Sequence, residues 1–260
     1  MVNEVVWACV FTALCWWLGT GLILWLDRLP SRSFGFSLAG WTVLLGLSFW
    51  GVAHSMQEVS VFNAYLAFGS VIVMWGWHEL AFLTGWITGP RKIPLDVGAT
   101  GWPRFVQSVQ VMLYHELALL ANFAVLWWMQ EGQQSHVAIC TYALLWCMRL
   151  SAKLNLFFGV PQNGEQYLPA HLKYLASYFR TCDMTLWFVL SMGVAMGTWF
   201  WLVWLAQQGA VAITTGWVML ATLLGLAIVE HIIMIFPWPL ERLWGWAMGQ
   251  TAKPALTTPP

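Results

Sequence analysis

Charged residues are scarce in this sequence. They make up 8% of its 260 residues, whereas a typical soluble domain carries about 25%. Hydrophobic residues account for 60%, and 21 residues are tryptophan. A chain this apolar needs a hydrocarbon environment, so an ordinary soluble domain is excluded and a multi-pass membrane protein is indicated. The lipid bilayer is therefore the first predicted partner.

Basic clusters and cysteine pairs are also missing. The eleven basic and eleven acidic residues cancel, and the basic ones are scattered, so we expect no nucleic-acid partner. The five cysteines include no Cys-x-x-Cys pair, which favours small buried hydrophobes over disulfides or thiolate ligands. No basic stretch precedes the first apolar run and no obvious cleavage site follows it. We therefore expect a retained first span rather than a signal peptide.

Seven apolar segments are long enough to cross a bilayer, since a helix needs about 20 residues to do so. The runs are unbroken, whereas the strands of a membrane barrel alternate and are about half as long. The sequence therefore predicts an all-α, polytopic membrane protein that forms a single seven-transmembrane-helix bundle. The predicted spans are 5–26, 34–53, 60–85, 105–129, 137–159, 184–206 and 212–236.

The loop charges sort by side. Lys and Arg occur in or beside the first, third and fifth loops and in the C-terminal tail, and none occurs in the second, fourth or sixth loop. The positive-inside rule then predicts a periplasmic N-terminus and a cytoplasmic C-terminus. Within the fifth loop, residues 165–180 place leucines at helical spacing opposite Lys173 and Ser177. This segment predicts an amphipathic helix on the cytoplasmic surface.

Three His–carboxylate dipeptides interrupt the apolar spans. "WHELAFL" in the third span and "YHELALL" in the fourth repeat one pattern, and the seventh span carries the reversed order, "EH". The predicted topology brings all three to the cytoplasmic half of the membrane, and the fifth loop adds two further residues from that side. The eight candidate residues are His78, Glu79, His115, Glu116, Glu165, His171, Glu230 and His231.

Metal binding is one explanation of these residues. Each intramembrane Glu or His costs about 2–3 kcal/mol at the bilayer centre and usually faces partners in the bundle interior. A dimetal centre of iron, zinc or manganese would satisfy several of them together. Two alternatives remain open: a structural hydrogen-bond network between helices, and axial ligation of haem or bacteriochlorophyll by histidine. Enzymatic activity therefore also remains open.

Three further polar residues follow in the fifth span, in "MRLSAKLNLFFGV". Arg149 and Lys153 lie four residues apart and therefore share a helix face. They either extend to the cytoplasmic headgroups or, with Asn155, bind a carboxylate-bearing substrate beside the proposed site.

Four stretches of this sequence resemble one known family. "WHELAFLTG", "YHELALLAN", "MRLSAKLNLFFGVPQNGEQYLPAHLKYLASYFR" and the late "EH" are similar to the PuhE family of photosynthetic-complex assembly proteins. The resemblance implies the inner, photosynthetic membrane of a phototrophic bacterium. It also implies a role in assembling the reaction centre and its light-harvesting ring and in bacteriochlorophyll supply. It implies no catalytic residues.

Two hypotheses follow from the residues and the resemblance together. The first is an assembly and bacteriochlorophyll-supply factor that is a membrane dimetal oxidoreductase acting on a tetrapyrrole. The second is a non-enzymatic pigment-binding chaperone or scaffold. Either would meet reaction-centre or light-harvesting subunits or pigment-biosynthesis proteins. A transporter is disfavoured, because the polar residues cluster in one leaflet and leave no path across the membrane.

Overall fold

The computed structural model describes residues 2–238 and 241–248, and all regular secondary structure in these ranges is helical. Seven helices are long and apolar enough to cross a membrane, which confirms the predicted fold class. They are α1 Val2–Leu26, α2 Phe34–Ser55, α3 Val61–Leu83, α4 Gly101–Met129, α5 Val137–Phe158, α6 Leu186–Ala206 and α7 Val211–Ile233. A short helix, α8, follows at Glu241–Met248, and three 3₁₀ helices lie at Ser31–Ser33, Glu165–Tyr167 and Ala170–Tyr178.

Local sequence explains several helix ends. The Ser60 side chain accepts a hydrogen bond from the backbone N–H of Asn63 at 3.1 Å and so caps α3. Helix α4 begins at Gly101, four residues before the predicted start. Pro103 falls in its first turn, where proline costs no helical hydrogen bond. The predicted spans therefore match the helices to within a few residues at each end.

Helices α3 and α7 form the centre of the bundle. In each of them 56% of the most apolar stretch is buried, against 11–28% in the other five spans. Helix α3 contacts α1, α2, α4, α5 and α7, and α7 also contacts α1, α5 and α6. Two of the three His–carboxylate dipeptides thus lie on the two most enclosed helices, and the third lies on α4.

The prediction of one amphipathic helix at 165–180 is wrong, because the segment is not a single helix. The segment forms two 3₁₀ helices, and Leu168 between them has an extended backbone. Pro169 explains the break, because proline disfavours a helical conformation in the residue before it. Leu172, Leu175 and Tyr178 pack into a cluster with Phe82 of α3 and Val111 of α4. The segment is therefore part of the bundle's end.

Helix α8 packs against α1 through tryptophans. The Trp17 indole donates to the Leu243 carbonyl at 2.9 Å, and the Trp244 indole donates to the Trp17 carbonyl at 3.0 Å. Lys253, one of the basic residues of the C-terminal tail, lies outside the described residues.

Candidate functional site

Two ion pairs join the repeated dipeptides to α5. Arg149 donates to Glu79 of α3 at 2.8 Å. Lys153 pairs with Glu116 of α4, and the Trp146 indole donates to the same carboxylate at 3.2 Å. Because Arg149 and Lys153 lie one helical turn apart, α5 presents two cations to two neighbouring helices. The four formal charges cancel within the bundle.

His78 belongs to a hydrogen-bonded group between α3, α4 and α5. Its Nε2 lies 2.8 Å from the Asn122 side-chain nitrogen and 3.5 Å from the Tyr142 hydroxyl. Because the amide nitrogen can only donate, Nε2 accepts, and the ring proton of the neutral imidazole lies on Nδ1. The Tyr142 hydroxyl donates to the Leu119 carbonyl at 3.0 Å. The histidine thus links helices through neutral groups.

His115 is fully buried and differs from His78. Neither ring nitrogen has a hydrogen-bond partner among the described residues. The ring lies against Phe82, with centroids 4.7 Å apart, and Phe82 also lies under the Lys153 ammonium, 5.9 Å from its centroid. Two further atoms on α3, His78 Nδ1 and Glu79 Oε1, are also buried without a partner in the described structure. Unpaired buried polar atoms are costly, which marks the region where the last turns of α3 lie beside the middle of α4 as the candidate functional site.

The chain after α3 folds back against α4 at this site. The His115 backbone N–H donates to the Thr88 carbonyl at 3.0 Å, and Thr88 is buried. A Cβ atom added at Gly89 would lie 1.9 Å from the Gln110 carbonyl oxygen. Only glycine allows this approach of two backbones. The loop therefore covers the site and excludes solvent from it.

Arg91 holds the same loop at its far side. Its Nε donates to the Tyr178 hydroxyl at 2.8 Å, and a second guanidinium nitrogen donates to Asp96 at 2.5 Å. The hydrogen bonds to Tyr178 and Asp96 raise the pKa of Arg91 above its usual value. The loop thus connects α3, α4 and the 3₁₀ segment Ala170–Tyr178.

The α7 dipeptide has different partners. His231 Nδ1 lies 2.8 Å from the Ala227 carbonyl, so Nδ1 carries the proton, and Nε2 accepts from the Ser151 hydroxyl at 3.1 Å. Glu230 accepts from the Trp16 indole of α1 at 2.9 Å, and its side chain lies on an exposed position of the bundle. The α7 dipeptide therefore differs in its partners from the dipeptides of α3 and α4, because Glu230 turns toward α1.

The two loop candidates lie apart from this site and have local roles. Glu165 lies on an exposed 3₁₀ helix and is linked to Asn163, two residues earlier, with a side-chain contact of 3.4 Å. His171 donates to the Leu83 carbonyl at 2.7 Å. Leu83 is the last residue of α3, and the final carbonyls of a helix lack partners within it. His171 therefore caps α3.

A shared metal site does not form from these residues. No three His, Cys, Asp or Glu side chains in the described ranges are placed to hold one ion. Glu79 and Glu116 already have cationic partners, which would repel a metal ion. Binding of two metal ions or of a tetrapyrrole by these residues therefore stays a prediction.

The predicted substrate-binding residues have partners inside the protein. Arg149 and Lys153 pair with the two glutamates as described. The Asn155 amide donates to the Ser151 carbonyl at 3.0 Å and to the Ser191 hydroxyl of α6 at 3.3 Å. Substrate binding by these three residues also stays a prediction.

A protein-family model described as "Protein of unknown function (DUF3623)" matches residues 1–255. This chain belongs to that family. It is also 38% identical over 254 residues to a protein of Rhodobacter capsulatus, an alignment that covers 95% of this chain and 92% of the relative. The relative is described as "Uncharacterized 30.4 kDa protein in puhA 5'region". No solved structure matches this member of the DUF3623 family.

Several hydrogen-bond partners at the candidate site of this DUF3623 protein are not predicted by the sequence. Asn122 and Ser151 supply neutral hydrogen bonds to His78 and His231, and Trp146 supplies one to Glu116. The Tyr142 hydroxyl lies 3.5 Å from His78 Nε2. Their residue types are common in membrane helices, so nothing in the sequence separates them from packing residues. The ion pairs do have a signal in the sequence. Glu79 and Glu116 lie on two different spans, and Arg149 and Lys153 lie on one face of a third.

Proposed function

We propose that this protein is a membrane-embedded factor for photosynthetic-complex assembly and bacteriochlorophyll supply, and that it acts by binding rather than by metal chemistry. The resemblance to the PuhE family supports the photosynthetic role. The description of the Rhodobacter capsulatus relative, which places it in the puhA 5' region, supports the same context. The proposed location is the inner, photosynthetic membrane. The proposed partners are reaction-centre or light-harvesting subunits or pigment-biosynthesis proteins.

The charge balance of the site carries the non-enzymatic part of this proposal. Both carboxylates of the repeated dipeptides are paired with bases of α5. A buried acid that is already paired has no charge left to offset a divalent ion. The ion pairs between helices and the loop contacts hold the predicted cytoplasmic end of the bundle together. This suits a scaffold that presents an apolar, tryptophan-rich outer surface to other membrane components.

Gene deletion tests the photosynthetic role. Deleting the gene in its phototrophic host should lower the near-infrared absorbance of reaction-centre and light-harvesting complexes, and the intact gene supplied in trans should restore it. A Lys173→Met copy, altered at an exposed position, should restore it equally. Wild-type absorbance in the deletion strain would contradict the proposed role.

One observation favours the second candidate, a dimetal oxidoreductase acting on a tetrapyrrole. Both His115 nitrogens, His78 Nδ1 and Glu79 Oε1 are buried without partners in the described structure, and all four atoms are of types that ligate metals. Elemental analysis of protein purified without chelator separates the candidates. Iron, zinc or manganese near two ions per chain, lost in His115→Ala, would establish the second candidate and overturn the first mechanism.

A further inference from the structure

A polar cleft of about 380 Å³ lies where α1 meets the 3₁₀ segment of the fifth loop. Its volume falls within the range of small-ligand sites, which is roughly 300–1,000 Å³. The cleft lies outside the site described above, at the end of a membrane-spanning helix and on the side predicted to be cytoplasmic. The residues used in the argument are Asp27, Arg28, Ser31, Phe34 and His171.

Asp27 is the unusual member of this cleft. It directly follows the last residue of α1, and only 6% of its surface is exposed. Its side chain makes no hydrogen bond or ion pair with any residue of the described ranges. Burial raises the pKa of this carboxyl to about 6, although the charges of Arg28 and His171 act to lower it. A buried carboxylate without donors is costly, and a ligand that brings N–H donors would offset that cost.

The basic groups beside Asp27 differ in availability. His171 Nε2 is already engaged with the Leu83 carbonyl at 2.7 Å. Arg28 is exposed, and its guanidinium makes no hydrogen bond or ion pair within the described structure. The cleft therefore offers one anionic acceptor and, next to it in the chain, one cationic donor with the fork geometry that suits phosphate. A ligand that matches both carries a positive donor group close to a phosphate.

We propose that this cleft binds a ligand with a primary ammonium group beside a phosphate, namely the ethanolamine headgroup of a phospholipid at the membrane surface. The ammonium donates to Asp27, and the phosphate accepts from Arg28. The position at the end of α1 favours a lipid as the source, since headgroups lie at that level. This inference does not depend on the proposed photosynthetic role.

Native mass spectrometry of the delipidated, full-length protein tests the site. The probes are short-chain phosphatidylethanolamine, short-chain phosphatidylcholine and free phosphoethanolamine. The choline headgroup keeps the phosphate and the positive charge but has no N–H donor. We expect the ethanolamine lipid to bind about tenfold more tightly than the choline lipid at neutral pH, because only the ethanolamine ammonium has N–H donors for the Asp27 carboxylate. Free phosphoethanolamine distinguishes a soluble source from a lipid source, and we expect it to bind more weakly than the lipid.

Two variants locate the effect. Asp27→Asn removes the negative charge with little change in shape, and the preference for ethanolamine over choline should disappear. Asp183→Asn removes one negative charge from an exposed position on the same predicted face and should keep the full preference. The wild-type preference should also shrink between about pH 7.5 and about pH 5, as the Asp27 carboxyl, with its pKa near 6, takes up a proton.

Equal binding of the ethanolamine and choline lipids by the wild type at neutral pH would overturn the proposal. A full ethanolamine preference in Asp27→Asn would overturn it as well. The wild-type headgroup and pH comparisons need no variant, so the proposal stays testable if Asp27→Asn does not fold. Free phosphoethanolamine that binds as tightly as the lipid would support the site and assign it a soluble amine phosphate.

Discussion

The dipeptides of α3 and α4 contain the same residue types as the dipeptide of α7, but their surroundings differ. Glu79 and Glu116 each meet a base from α5. Glu230 meets the neutral indole of Trp16. The histidines differ as well. His115 has no ring partner in the described structure, whereas both ring nitrogens of His231 have one.

The repeated dipeptides and the reversed pair are therefore stabilised by different interactions. In the repeat, the cost of burying carboxylates inside the bundle is offset by opposite charges, which works only when both members are present. In α7, His231 is hydrogen-bonded to the Ala227 carbonyl of its own helix and to the Ser151 hydroxyl, and Glu230 accepts from the Trp16 indole. We therefore expect substitutions in the repeat to cost far more than matched substitutions in α7.

Orientation is the first test, because the comparison assumes that all three dipeptides lie in the cytoplasmic leaflet. A reporter that is active only in the cytoplasm, fused after Lys253, should be active, since the basic loops predict that side as cytoplasmic. The same reporter fused after Glu131, in the loop after α4, should be silent. The reverse pattern would place the dipeptides in the periplasmic leaflet.

Loss of one of the α5 bases that pair with the repeated dipeptides should have the largest effect on stability. The Lys153 side chain is 10% exposed, and Lys153→Met leaves the partly buried Glu116 without its cation. We expect a loss of about 3–5 kcal/mol in the free energy of unfolding, measured by denaturant titration in detergent micelles. Lys173→Met, at an exposed position, should change it by less than about 0.5 kcal/mol. Equal effects of the two variants would show that the ion pair contributes nothing.

Asp27, an acid that has no paired base, should respond to pH. Its pKa is raised from 3.8 to about 6 by burial, so the folded protein binds this proton more tightly than the unfolded chain does. Stability from this group is therefore present at low pH and is lost as pH rises through 3.8 to about 6. In lipid-free detergent, the melting temperature of Asp27→Asn should exceed that of the wild type by a few degrees at neutral pH. A difference that does not grow with pH would contradict this.

The smallest effect is expected in α7. Glu230→Gln keeps an oxygen that can accept from the Trp16 indole, and it removes a charge that forms no ion pair among the described residues. We expect a change of about 1 kcal/mol or less, measured by the same titration as Lys153→Met. A loss as large as that of Lys153→Met would mean that α7 belongs to the same charged network as the repeat.

The sequence predicted the spans well and the partners poorly, for physical reasons. Apolar length fixes a span, so seven helices follow directly from composition. Which side chain meets which depends on the rotation of each helix about its axis, and a lone dipeptide such as Glu230–His231 does not specify that rotation. The fold-back of Thr88 and Gly89 onto α4 was equally hidden, because the glycine-rich loop reads as an ordinary connection. Pro169 is the exception, because a proline at this position is a sequence signal for a break in the segment 165–180.

The coupling free energy between Glu116 and Lys153 tests the central claim most directly. It is obtained from the unfolding free energies of the wild type, Glu116→Gln, Lys153→Met and the double variant. The two single variants each leave one buried charge unpaired, whereas the double variant leaves none. We predict that the double variant is more stable than either single variant, with a coupling of about 2–3 kcal/mol. Additive losses, with no coupling between the two residues, would contradict a charge-compensated core and reopen the question of what the repeated His–Glu pairs bind.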